Sequence, residues 1–244
     1  MSITRTTLRR MSFLSLVLVF LLILSTEAQA DLYGFEAVSW NSPAADAMAA
    51  QLSLELVDLG IANPGDPYQV EFIFKNNIAP YTATDPLDPV LGIITGLAFE
   101  DGALFDMGVI NHYPDPLDSG SVVSFVEDPT PPTGTWGLGF DTTHFFRADA
   151  TPPPPTDGVN PYEAVGIEFD LIAGKTYQHV IDAINQGFTG PIVIGESLRI
   201  GIHVQNLDPD GDRSDAYIMT PIPASVVLGM LGLGVAGLKL RKFA

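Results

Sequence analysis

The chain has 244 residues, 29 acidic against 11 basic side chains, a formal net charge of −18 and no cysteine. Six basic residues lie near the two ends (Arg5, Arg9, Arg10, Lys239, Arg241, Lys242), so the stretch from Asp31 to Thr220 keeps only five (Lys75, Arg147, Lys175, Arg199, Arg213) against 28 acids, a balance of −23. A body this acidic is repelled by nucleic acid and by anionic lipid headgroups, and the missing cysteines exclude disulfides, thiolate metal sites, a cysteine nucleophile and a lipid-modified amino-terminal cysteine.

At the amino end, Arg5, Arg9 and Arg10 precede the apolar run from Phe13 to Leu24, and Ala28-Gln29-Ala30 places small residues where a signal peptidase reads. Residues 1–30 are therefore expected to be a signal peptide cut after Ala30. The apolar run is shorter than the roughly 20 residues of a membrane span, which argues against an uncleaved anchor.

After Ala30 short alternating runs are separated by turn chemistry, the pattern of an antiparallel β-sandwich occupying residues 31–219. About eight strands are predicted: Leu32 to Val38, Gln51 to Leu56, Tyr68 to Phe74, Gly92 to Phe99, Val122 to Val126, Gly166 to Ile172, Leu198 to Gln205 and Ala216 to Met219. From Thr176 to Gln186, Tyr177, Val180, Ile181 and Ile184 recur at helical spacing, which predicts one short helix with Gly187 as its stop. Proline-rich stretches such as "IANPGDP", "DPLDP", "DPTPPTG" and "ATPPPPTDG" fall between the runs, where lost backbone donors do no harm. Pro152 to Pro155 reads as a stiff extended loop over one core.

The segment 220–244 differs in kind. Ile222 to Leu238 is 17 residues without a charge, a helix of roughly 25 Å that just crosses a thin hydrocarbon layer. Lys239, Arg241 and Lys242 follow it and are expected to stay in the cytoplasm. The arginines of the leader start on the same side, which leaves the acidic body as the translocated part.

The proline pair Pro221-Ile222-Pro223, the short glycine-rich apolar stretch and the basic end together resemble a PEP-CTERM sorting signal, in a variant with Ile222 where the name-giving motif has glutamate. That resemblance implies handling by an exosortase-type transpeptidase near Pro221 to Pro223, in connection with an exopolysaccharide matrix. A glycolipid-anchor signal fits less well, since such tails end apolar. The wording of "ITGLAFEDGAL", "DGVNPYEAVGIEFDLIAGKTYQHVIDAI" and "LRIGIHVQNL" is similar to an all-β extracellular domain of unknown function found ahead of such tails.

The densest candidate site is "DPDGDRSD", with Asp208, Asp210, Asp212 and Asp215. Hard cations such as calcium take several oxygen ligands, but an EF-hand counted from Asp208 would need glycine and glutamate where Arg213 and Met219 stand. A solvated Asp-Gly turn also accounts for these residues. His112, His144, His179 and His203 show no ligand spacing, Ser119 to Ser121 lacks a nucleophile-elbow context, and Glu100 beside Asp101 is an adjacency expected by chance among so many acids. No catalytic residue is assigned. Trp40, Trp136, Tyr81, Tyr113 and Tyr162 lie near predicted loops and could stack on sugars.

The expectation is a secreted, non-enzymatic β-sandwich without a required cofactor. It would be exported to the cell surface, outer membrane or extracellular matrix, with transient or lasting carboxyl-terminal anchoring. Its partners would be an exosortase and matrix components, not nucleic acid. A carbohydrate-binding module or adhesin is the alternative, and a surface hydrolase a further one.

Overall fold

A computed structural model describes residues 30–77, 92–100, 103–113, 123–127, 136–140, 145–151, 157–189, 196–207 and 212–222. The strands are β1 (Ala30–Ala37), β2 (Leu52–Gly60), β3 (Gln69–Asn76), β4 (Ile93–Glu100), β5 (Phe105–Tyr113), β6 (Phe125–Glu127), β7 (Phe145–Ala150), β8 (Ala164–Leu171), β9 (Arg199–Gln205) and β10 (Ser214–Pro221). Two helices are described, α1 (Ala45–Ala49) and α2 (Tyr177–Thr189). The protein is mostly antiparallel β. The expected signal helix and carboxyl-terminal membrane helix lie outside the described residues, among which no helix is long and apolar enough to cross a membrane.

In place of two separate sheets, all ten strands form one, in the order β5-β8-β3-β2-β1-β10-β9-β4-β7-β6. The sheet curls until its two halves face each other. Phe72 of β3 meets Phe99 of β4 edge-on at 5.1 Å, and Phe146 of β7 meets Phe169 of β8 at 5.0 Å. At the far edges, the Phe125 N–H of β6 donates to His112 Nε2 of β5 over 3.1 Å. Such edge-to-face rings add to the ~1.5–3 kcal/mol that each buried large side chain contributes.

Alternation explains the inner face. Leu52, Leu54 and Leu56 of β2 and Val70, Phe72 and Phe74 of β3 are buried, while Glu55, Ile73 and Lys75 between them are only partly so. Seven of the eight predicted strand segments coincide with strands, and the eighth, Val122 to Val126, overlaps β6 only at Phe125 and Val126. The two unpredicted ones, β5 and β7, carry weak patterns for different reasons. In β5 a bulge between Phe105 and Gly108 shifts the inward phase, so the run never alternates as written. In β7 the inward positions include Ala148 and Ala150, too small to register as a hydrophobic stripe.

The helices sit at opposite ends of the strands. α2 docks where β1 begins: the Tyr177 hydroxyl donates to Asp31 Oδ2 at 2.8 Å, and Phe188 lies 6.2 Å from Tyr33. α1 follows β1 and buries Ala45 and Met48 near Gly92, Val204 and Leu207.

One prediction about α2 is corrected. Gly187 does not end the helix, which runs on to Thr189. Its role is close approach, because a methyl group there would collide with the Leu198 carbonyl oxygen. On propensity alone, Gly→Ala inside a helix stabilises by about 1 kcal/mol. Gly187→Ala is instead expected to lower stability by about 1–3 kcal/mol through overpacking, read from the urea midpoint; a raised midpoint would contradict the contact.

Candidate functional site

The outer face of the sheet differs between its two halves. Over β4, β9 and β10 the segment 136–140 lies as a strap, burying Leu138 and Phe140 against Ala98 and Ala216. Trp136 stacks on His203 with centroids 5.1 Å apart and an interplanar angle of 9°, and the Arg147 guanidinium lies over its ring at 4.9 Å. Gly96 leaves room beneath, since a methyl group there would collide with the indole. Trp136 is therefore a packing residue rather than a displayed platform.

Over β3, β8 and β5 the outer face carries no such strap among the described residues. A cleft of about 300 Å³ is lined by Ile73, Lys75, Asn77, Tyr113, Tyr162, Glu163 and Ala164. Strand register explains the gathering, because Lys75 is opposite Ala164, and Ala164 is opposite Tyr113. The Lys75 ammonium is paired with Glu55 on β2. Tyr162 precedes β8, and its N–H donates to the Asn76 carbonyl at 2.7 Å. Its φ of 73° is in the left-handed region, unusual for a bulky residue. The residue is nevertheless 50% exposed.

Beneath Tyr113 lies a polar array. Glu71 and Glu168 are directly opposite on neighbouring strands, an arrangement in which like charges repel. Asn111 relieves the repulsion: its Nδ2 donates to Glu71 Oε1 at 2.9 Å and to Glu168 Oε2 at 3.2 Å, using both amide protons. The Tyr113 hydroxyl donates to the same Glu71 oxygen at 2.6 Å. Burial, then that bond and the Glu71 charge, hold the Tyr113 hydroxyl well above the usual tyrosine range. Glu71 is only 6% exposed although it points outward, because Gly166 lets it and the Tyr113 ring settle against the sheet.

The predicted calcium cluster is not assembled among the described residues. Asp208 and Asp210 lie outside them, and Asp212 is exposed. Asp215 is 1% exposed and holds the loop after β1. Its Oδ1 accepts from Ser39 Oγ at 2.8 Å and Asn41 N–H at 2.5 Å, and its Oδ2 from Ser42 N–H at 3.0 Å. Among the described residues no group of three or more His, Asp or Glu is placed to hold a metal ion.

The remaining sequence candidates scatter. Ala30 begins β1, Pro221 ends β10 and Ile222 follows it, while Ala28, Pro223, Lys239, Arg241 and Lys242 lie outside the described residues. His112 accepts the β6 amide already noted, and His179 Nδ1 accepts the Thr176 N–H at 3.2 Å at the start of α2. Glu100 is buried and paired with Arg199. Asp101, Ser119 to Ser121, His144 and Tyr81 are also outside the described residues. Trp40 is 56% exposed at a φ of 49°. The aromatics that converge are Tyr113 and Tyr162. The Glu71–Asn111–Glu168 array escaped sequence reading because its members are contributed by three strands and carry no spacing signal.

Comparison with known proteins adds no relative: no family model matches the chain, and no curated protein matches it. The class is accordingly that of the fold, an antiparallel β protein built on one curled sheet.

Two outcomes follow from this geometry. Gly166→Ala is expected to cost about 1–3 kcal/mol and to make the Tyr113 ring more accessible, measured by urea unfolding and tyrosine modification; unchanged values would mean the ring does not rest there. His203 is the second. Burial foremost, and Arg147, lower its pKa from 6.5 to about 4, with Asp215 acting in the opposite sense. The unfolded imidazole therefore binds its proton first, so this contribution to stability is full above pH 6.5 and is lost as the pH falls toward 4. His203→Phe, which keeps an aromatic stack, should lose less stability than the parent across that interval. Parallel urea-midpoint curves would assign the acid loss to other groups.

Proposed function

We propose that the protein is an exported, non-catalytic β module of the cell surface or extracellular matrix, sorted through its carboxyl-terminal segment by an exosortase-type transpeptidase. One observation supports this reading most. β1 and β10 are adjacent antiparallel strands with Tyr33 opposite Pro221, so the chain enters and leaves the sheet at the same end. Residues before Ala30 and after Ile222 thus join the fold side by side. A leader and a membrane-stop segment attached there would both draw the body to one bilayer surface without crossing the sheet. The −23 balance of the body suits solvation outside the cytoplasmic membrane and keeps copies apart.

A second reading, a carbohydrate-binding module in the same location, is favoured by the cleft that Tyr113 and Tyr162 both line. A half-exposed tyrosine in a strained backbone is the kind of outlier that accompanies binding surfaces.

Mass spectrometry of the protein from its native host tests the sorting reading. A mature amino terminus at Asp31 and a carboxyl terminus lost near Pro221 to Pro223 only when an exosortase is present are expected. A carboxyl terminus intact at Ala244 in that host would replace sorting by permanent anchoring.

A further inference from the structure

We infer that the Tyr113–Tyr162 cleft is a subsite for an uncharged or amino-bearing sugar residue, and that it rejects uronic and sulfated sugars; this rests on the carbohydrate-binding reading above. Sugars present an apolar C–H face and a rim of hydroxyls, and the cleft offers both complements. The aromatic surface comes from Tyr113 and Tyr162, and hydrogen-bonding capacity from Asn77, Lys75 and the carboxylate side of its ion pair with Glu55.

The charge of the walls selects among sugars. Glu55, Glu71, Glu163 and Glu168 all lie on or beside the cleft, and Lys75, the single cation among the described residues that line it, is already paired. Glu163 is 3% exposed; its Oε2 accepts from the Asn160 N–H and side chain at 2.7 and 2.9 Å, and its Oε1 has no hydrogen-bond partner among the described residues. That uncompensated oxygen adds to a negative potential that an anionic ligand would meet in a partly desolvated site.

A peptide is the weaker fit. β3 and β8, which carry Ile73, Lys75 and Ala164, are each flanked on both sides, so that part of the floor offers no strand edge for backbone pairing, and only Tyr113 comes from the terminal strand β5 among the described lining residues. Among the described residues the apolar lining apart from the tyrosines is Ile73 and Ala164, too little for a side-chain anchor. Tyr113 is preset for stacking because Glu71 engages its hydroxyl and Gly166 seats its ring. The cleft also lies where β3 and β5 end and β8 begins, at the α1 end of the strands, whereas Ala30 and Pro221 lie at the α2 end. A body held at its chain ends would carry the cleft away from the holding surface.

The test is calorimetric titration of the full chain with three probes of equal length: a neutral glucose hexamer, a glucosamine hexamer and a guluronate hexamer. Binding of the glucose or glucosamine probe, with at least a tenfold preference over guluronate, is expected. Tyr162→Gly should weaken it at least tenfold, and this variant should fold, because glycine relaxes the φ of 73°. Trp40→Ala, which removes an exposed ring elsewhere, should leave binding unchanged. Guluronate binding as tightly as the others, or Tyr162→Gly binding like the parent, would overturn this subsite and leave the carbohydrate reading standing. Failure of all three probes, or their displacement by peptides that bind more tightly through Tyr162, would overturn both.

Discussion

The sheet depends on the pairing of its first strand with its last. β1 and β10 share five register pairs from Tyr33–Pro221 to Ala37–Tyr217 at the middle of the strand order, and every other strand extends one flank or the other. Without that ladder the described strands would form two five-stranded sheets, held together by core contacts such as Phe72–Phe99 and Phe146–Phe169 and by the Phe125–His112 bond, with no backbone ladder at the seam. Asp215 reinforces the junction from the far end of β10 by tying down the Ser39–Ser42 loop. The pairing has near-maximal sequence separation, so its loop-closure cost falls late in folding. For a chain crossing a membrane amino terminus first, the sheet cannot close until the segment next to the tail has emerged. Under the export proposed above, folding and delivery of the tail would be linked through one strand.

The two outer faces show how the same sheet can be sealed or left available. Over β4, β9 and β10 the strap fills the surface with Leu138 and Phe140, and β4 is buried on both sides. Over β3, β8 and β5 the surface is filled by carboxylates, an amide and a tyrosine hydroxyl that satisfy one another. The scarce cations follow this division. Arg147 and Arg199 form ion pairs beside the strap, with Asp149 and Glu100, and Arg213 donates to the Asn41 carbonyl at 3.1 Å. Lys75 is the one cation among the described residues lining the cleft. With most positive charge engaged locally, the excess negative charge of the body is left to the surface.

Much of the sheet was legible in the sequence because period-two alternation reports one buried face directly. β2 and β3 are the clearest cases, Leu52-Leu54-Leu56 against Val70-Phe72-Phe74. What alternation could not convey was phase and partnership. The bulge in β5 hid that strand, alanines hid β7, and the single continuous sheet follows from the β1–β10 pairing, which no local pattern encodes. Gly187 was misread for a related reason: a glycine near a helix end signals a stop, whereas here the constraint is the Leu198 carbonyl arriving from elsewhere in the chain. Asp215 was grouped with its neighbours in sequence, but its partners Ser39, Asn41 and Ser42 are some 170 positions away.

The aromatic candidates make the same point about function. Trp136 and Tyr113 each lie against the outer face where a glycine, Gly96 or Gly166, makes room. Residue type and loop position do not distinguish them. Trp136 is closed off by the His203 imidazole and the Arg147 guanidinium, so its left-handed backbone at a φ of 46° is repaid by packing. Tyr113 is fixed from below by Glu71 and faces a cleft, and Tyr162 across it bears a similar backbone strain without burial to offset it. Trp40 is also left-handed and exposed, at a φ of 49°, so strain alone does not single out a ring. Tyr162 differs in lining a cleft together with a second tyrosine, and the proposed subsite over β3, β8 and β5 rests on that pairing.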